Sequence, residues 1–371
     1  MKKSKLLSGL LACTVLISSL LIGCGDKKAT SQKASADKKE IKVGFLYVGP
    51  IGDGGWTYSH NEGRLYLEKE LKVPTIYKES VKEDTAEVQK VTEDMINQGC
   101  NVIVGTSFGF MDGLEKEAKK HPEVKFLHCS GYKTSENMST YFGRIYQARY
   151  LSGIVAGMKT KTNKIGYVAA FSIPEVVRGI NAFTLGVQSV NPNAKVMVKW
   201  TNTWYDPAKE KEAGKALLAE GVDVITQHQD TAGPQQAAEE KGAFSIGYNT
   251  DMKDKAPKAY MTAPIWNWGP YYVDQVKAIQ QGTWKSESYW KGLETGIVDL
   301  AELTPNAPAG AKEAVEKAKK DIISGKNKIF VGPIKDQKGN IKVEDGKVMT
   351  DEELLKFDWF VQGVVGEIQN K

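Results

Sequence analysis

The 371-residue chain contains residue types that could support catalysis, but not at the spacings catalysis needs. His60, His121, His128 and His228 are scattered, and no histidine or cysteine cluster has metal-ligand spacing, so neither a metal nor a cofactor is expected. The glycine-rich stretch Gly49 to Gly55 fails both nucleotide-phosphate tests. Thr57 stands where the third glycine of G-x-G-x-x-G belongs, and Gly55 stands where a P-loop requires Lys. What this stretch offers is a carboxylate, Asp53, ahead of a helix start that carries Trp56, Thr57, Tyr58 and His60. An aromatic face beside a carboxylate, with no phosphate device, suits a neutral flat ligand.

The elements that must position these groups alternate regularly. Within an expected strand at 41–48, Val43 to Tyr47 is a continuous run of apolar and small residues, as expected of a parallel strand covered on both faces, and the glycines after it form a loop at the binding edge of such a sheet. Helices are expected over 56–71, 85–98 and 112–120, with strands at 75–81, 101–107 and 124–130 between and after them. The alternation restarts with a helix at 144–158, strands at 164–170, 195–200, 222–228 and 244–248, and helices at 174–189, 207–220 and 234–241. The two series echo each other: Asn97 to Ser107 (NQGCNVIVGTS) parallels Ala219 to Gln229 (AEGVDVITQHQ). The expected fold class is α/β, two lobes facing across a cleft with the C-terminal ends of both sets of strands pointing into it. At those ends lie the remaining candidate ligand contacts: Ser107, Phe108, Phe171, Trp204, Gln229, Asp230, Asn249, Asp251 and Trp266. Trp56, Phe108 and Trp204 read equally as core aromatics, and Asp251 as a helix cap or hinge contact.

The N-terminus indicates a compartment. Lys2, Lys3 and Lys5 precede the apolar run Leu6 to Ile22, and Leu21-Ile22-Gly23-Cys24 closes it, which is the pattern of a secretory signal over 1–23. L-I-G-C resembles the lipobox of bacterial lipoproteins, implying cleavage before Cys24 and diacylation of its thiol. Residues 24–40 are rich in Lys, Ser, Ala and Asp and read as a disordered tether holding the body at the extracytoplasmic face of the cell membrane. Removing Lys2, Lys3 and Lys5 brings the formal net charge from +5 to +2, a balance that gives no support to nucleic-acid binding. Cys100 and Cys129 lie at opposite ends of neighbouring expected strands, too far apart for a disulfide.

Beyond residue 251 the texture changes. Tyr260 to Ile265 reads as one strand and Gly269 to Gln281 as a helix, both given to the first lobe, and 329–347 reads as a hairpin turning at Lys338 to Asn340. The expected division is 41–143 with 252–290 for the first lobe, and 144–251 with 291–371 for the second.

Four segments, GPIGDGGWTYSHNEGR from Gly49, EVVRGINAF from Glu175, NTWYDPAKEKEA from Asn202 and GPYYVDQVKAIQQGTWKS from Gly269, resemble the basic membrane protein (BMP) family, the purine-binding lipoproteins of ABC transporters. The likeness runs through the whole chain after the tether. It implies a two-lobed periplasmic-binding-protein-like fold (type I) with crossovers near Phe142, Asp251 and Trp290. It also implies delivery of purine nucleosides, or in one branch adenine, to a permease and ATPase on other chains. By resemblance Trp56 takes the place of the ring that stacks on the purine, while Asp53, Asp230 and Asn249 would bind its edges. The nucleoside binders resemble G-V-D-S-D where this chain has Gly247 to Asp251 (GYNTD), carry lysine where Trp266 aligns, and have a glycine-rich segment where this chain reads Gln227 to Asp230 (QHQD). Fewer charges and more aromatic bulk favour the free base. Two other readings compete: a surface nucleoside hydrolase with Asp53 and Asp230 as acid and base, against which stands the lack of a nucleophile motif, and a purine-sensing or adhesion receptor.

Overall fold

The structure, a computed structural model, describes residues 40–369. The signal, Cys24 and most of the tether lie outside the described residues. Among those described, no helix is long and apolar enough to cross a membrane.

In chain order the first lobe is built from β1 (Val43–Leu46), α1 (Trp56–Leu71), β2 (Thr75–Lys78), α2 (Thr85–Asn97), β3 (Val102–Gly105), α3 (Met111–Lys120), β4 (Lys125–Cys129) and β5 (Met138–Gly143). The second is built from α4 (Ile145–Lys159), β6 (Lys164–Ala169), α5 (Pro174–Val190), β7 (Lys195–Trp200), α6 (Pro207–Ala219), β8 (Val224–Gln227), α7 (Gly233–Glu240), β9 (Phe244–Ile246) and β10 (Tyr260–Thr262). Both sheets are wholly parallel, and their strand orders repeat: β2-β1-β3-β4-β5 in one and β7-β6-β8-β9-β10 in the other. The segments that echo in sequence are the α2–β3 and α6–β8 junctions, equivalent places in the two lobes.

Strand residues alternate between two apolar layers, as a sheet covered on both faces requires. Phe45, Val102 and Leu127 face one core, while Leu46, Ile103 and Phe126 face another formed with Val88, Met95 and Leu114 of α2 and α3. In the second lobe α4 and α5 press together through glycines: a Cβ on Gly153 would lie 2.2 Å from the Phe183 carbonyl oxygen, and one on Gly186 2.1 Å from that of Tyr150.

The run expected as a single strand at 260–265 is split. β10 pairs with β9 in the second sheet, and the chain leaves that sheet at Ala263 to form β11 (Pro264–Trp266), which pairs antiparallel with β13 (Val298–Leu300). Residues through Thr262 therefore belong with the second lobe, and the crossover assigned to Asp251 falls after β10. Pro264 marks the break, since it has no N–H to continue a ladder. Between these strands α8 (Trp268–Gln280) packs on α1, and β12 (Ser288–Lys291) extends the first sheet beside β5. The tail holds α9 (Ala311–Ile323), the hairpin of β14 (Ile334–Lys335) with β15 (Ile341–Val343), α10 (Asp351–Leu355) and β16 (Val364–Val365), which joins the edge of the second sheet at β7. Three connections thus link the lobes: β5 to α4, β10 to α8, and β12 to β13.

Candidate functional site

The cleft between the sheets holds a small, partly enclosed cavity lined by both lobes. Trp56, Ser107, Phe108, Ser130 and Phe142 line it from the first lobe. Glu175, Trp204, His228, Asp230 and Tyr248 line it from the second. Nearly all follow the C-terminal end of a strand, where an open α/β sheet binds its ligand.

The glycine loop sets Trp56. Asp53 accepts hydrogen bonds from the backbone N–H groups of Gly55 (2.8 Å), Thr57 (2.9 Å) and Tyr58 (2.9 Å), so its two oxygens cap α1. Thr57 is buried and accepts from the Gly49 N–H at 3.1 Å. The Trp56 indole N–H donates to the Thr106 carbonyl at 2.8 Å, and its ring meets Trp266 and Trp268 edge-on at 5.5 and 5.7 Å. With its polar edge engaged, half-buried Trp56 has its ring to offer the cavity.

Across the cleft, Asp230 follows β8. It accepts from Asn249 Nδ2 at 3.1 Å. Burial, with the Asp53 and Glu210 carboxylates nearby, pushes the Asp230 carboxyl well above the usual carboxylate range, and burial raises Asp53 too. Trp204 packs against Phe171 at 4.8 Å and donates its indole N–H across the cleft to Glu83 at 3.3 Å. Glu83 also accepts from Ser107 Oγ at 2.5 Å and from the Gly109 N–H at 3.1 Å.

Glu175, at the start of α5, lines the cavity, and burial raises its carboxyl to about 7 against the opposing pull of the Arg178 and Arg149 charges. His228 stands 3.6 Å from it and is held neutral by burial and by Arg149. Since Arg149 can only donate, its 3.4 Å contact with His228 Nδ1 leaves the imidazole proton on Nε2, facing Glu175. Arg149 itself lies 3.6 Å from the centre of the Tyr248 ring.

Of the residues expected at the ligand, Trp56, Ser107, Phe108, Trp204 and Asp230 line the cavity. The others do not. Asp53 and Thr57 shape the loop, Phe171 backs Trp204, and Gln229 donates to Thr201 Oγ1 at 2.7 Å. Trp266 stacks on Trp268 at 4.5 Å and donates to Asn249 Oδ1 at 2.9 Å, so Trp266 and Asn249 act from behind, through Trp56 and Asp230. Asp251 is exposed and pairs with Lys253. Apart from the apolar Val48 and Ile173, five lining residues were missed by sequence reasoning: Glu175, His228, Tyr248, Phe142 and Ser130. Four of the five follow the strand-end rule that located the others, whereas Glu175 opens a helix in a segment singled out only for its resemblance.

The profile of the Bmp family, ABC transporter substrate-binding proteins of PnrA-like type, matches residues 40–330. The chain belongs to this family. Its fold agrees: an ABC transporter solute-binding protein from Aeropyrum pernix K1 superposes with a TM-score of 0.68 at 22% identity, over 85% of this chain and 97% of the other. Among curated relatives, a purine-binding protein of Brucella abortus (strain 2308) is 44% identical over 89% of this chain and 95% of its own length. TsgA13 of Haloferax volcanii, named as a candidate ABC transporter glucose-binding protein, is 37% identical over 93% of this chain and 85% of its own. A Bmp-family chain of this kind is a substrate-binding component, so permease and ATPase partners belong to its working state.

Proposed function

We propose that the protein captures a purine for an ABC importer, and that it binds a free base, adenine or a close relative, more tightly than the nucleoside. The supporting observation is the cavity itself: aromatic rings from both lobes surround two carboxyls of raised affinity for protons, the half-buried Glu175 and the buried Asp230. Rings suit the faces of a purine. Carboxyls that can donate or accept suit its N–H and ring-nitrogen edge, whose water hydrogen bonds must be replaced. The free base is favoured because positions 249 and 266, aligned with charged groups in nucleoside binders, hold an amide and an indole turned to each other. The purine-binding Brucella relative supports the purine class, and the TsgA13 relative makes glucose the competing ligand to test.

Calorimetry with adenine, guanine, hypoxanthine, adenosine, inosine and glucose, on wild type and Trp56→Ala, tests this reading. Adenine is expected to bind most tightly. Loss of one stacking face should cost about 1 to 3 kcal/mol, a five- to 150-fold loss of affinity at roughly 1.4 kcal/mol per tenfold. Tighter adenosine binding would remove the free-base claim, and binding of glucose alone would remove the purine. The protein is not an enzyme in this reading, because Asp53 is occupied in capping α1 and does not line the cavity; release of base from adenosine would overturn that. L-I-G-C supports a lipid anchor on Cys24 at the extracytoplasmic face, and mass spectrometry of the membrane-extracted protein should find a diacylated Cys24 as the first residue. An unmodified chain starting elsewhere would refute the anchor.

A further inference from the structure

On the outer side of the first lobe, α2 and α3 bring three donor groups together that the ligand cavity does not use. Glu93 comes from α2, Glu117 from the last turn of α3, and His121 from the residue that ends α3. One ligand atom from each lies within 4.8 Å of the others. His121 Nε2 stands 3.3 Å from Glu93 Oε2 and 3.7 Å from Glu117 Oε2. We propose that Glu93, Glu117 and His121 form a binding site for a divalent first-row transition metal ion, zinc being the best match.

The unsatisfied atoms point to an ion. Glu117 is fully buried; its Oε1 accepts from Gln89 Nε2 and Lys120 Nζ, each at 2.7 Å, while its Oε2 has no hydrogen-bond partner. His121 Nε2 likewise has none, although two carboxylate oxygens lie beside it. The ring nitrogen therefore aims between those oxygens. Donors at roughly 2.0 to 2.2 Å from a tetrahedral ion stand roughly 3.3 to 3.6 Å apart, close to the separations of His121 from both glutamates. Lys120 also contacts Glu93 Oε1, at 3.5 Å, so the ammonium holds the Oε1 atoms and leaves both Oε2 atoms for a second cation. Glu123 lies 3.5 Å from His121 Nδ1, where it orients the ring and keeps the Nε2 lone pair facing the site.

The donor set selects the metal class. One imidazole with two carboxylates suits zinc and its first-row neighbours, whereas magnesium and calcium prefer all-oxygen shells. Three protein ligands leave a fourth position for water. His121 is 21% exposed and Glu93 35%, which gives an ion a path in. The C-terminal end of α3 adds a favourable field for a cation. Bound there, the ion ties α2 to α3.

Calorimetry with zinc chloride on tag-free, chelator-stripped protein tests the site. Wild type should bind one zinc per chain, Glu93→Gln and His121→Ala should each weaken it at least tenfold, and circular dichroism should show both variants folded. Glu93 and His121 lie near the surface, so neither change empties the core. In proton NMR at fixed pH, zinc should shift the ring signals of His121, the one imidazole that is not buried. Absence of zinc binding in wild type, or binding unchanged in both variants, would overturn the site. So would His121 ring signals that do not move on adding zinc, which would leave the cluster a plain network of side-chain contacts.

Discussion

Glu175 is the cavity residue whose chemistry is easiest to separate from its neighbours. Its carboxyl is raised to about 7, chiefly by burial, so the folded protein holds a proton there that the unfolded chain releases near the ordinary glutamate value. The folded state then binds more protons, and this group's stabilising term, fully present at low pH, is lost as pH rises through about 7. His228 has the opposite sign: its lowered affinity for protons costs stability as pH falls below the usual histidine value. The two slopes oppose each other in the wild type, and removing one exposes the other. Relative to wild type, Glu175→Gln should gain melting temperature progressively from pH 5 to pH 7 and keep a constant advantage above that. Parallel melting curves at pH 5 and pH 8 would mean that Glu175 ionises as an ordinary surface group. In the sequence Glu175 is an acidic residue at a helix start, indistinguishable from Glu87 or Glu313. What makes it special, burial beside Arg149, Arg178 and His228, comes from three separate elements. Trp56 and Asp230, by contrast, were legible because strand ends and glycine loops mark a binding edge by themselves.

At the scale of elements, the α1 N-terminus meets the loop after β8 with no space between them. A Cβ on Gly55 would fall 2.2 Å from the Asp230 carbonyl oxygen and 2.8 Å from its carbonyl carbon, backbone that cannot swing away. A side chain at this position therefore acts on the approach of the lobes. Gly55→Ala should weaken ligand binding at least tenfold by calorimetry. A variant that melts early yet binds normally would place the glycine's role inside the first lobe. Most elements here were legible, because buried parallel strands and amphipathic helices differ in length and period. The 260–265 run was not. Its apolar residues serve two sheets in succession, and only the pairing partners, β9 and β13, separate them.

For the whole molecule, the contacts between lobes describe a closed state. Thr250 Oγ1 donates to the Gly54 carbonyl at 2.5 Å and the Trp204 indole N–H to Glu83, each linking one lobe to the other. These few polar contacts stand around a cavity lined by both lobes, so a ligand there touches both walls in the closed form and one wall in an open form. Its binding energy differs between the two states by the contacts of the second wall, which is what a closure driven by ligand requires. The repeated strand order lets this happen, since each sheet carries a core layer of its own on one face and the lobes are joined by three connections. Protein freed of co-purified ligand by unfolding and refolding should therefore show a larger radius of gyration in small-angle scattering, and adenine should shrink it. Gly55→Ala supplies the internal control: with the approach of α1 to Asp230 blocked, adenine should leave its radius at the open value. Scattering curves that coincide with and without ligand in the wild type would mean that the lobes are held closed by their own contacts, with Thr250 and Trp204 acting as fixed braces and the ligand entering a preformed cavity.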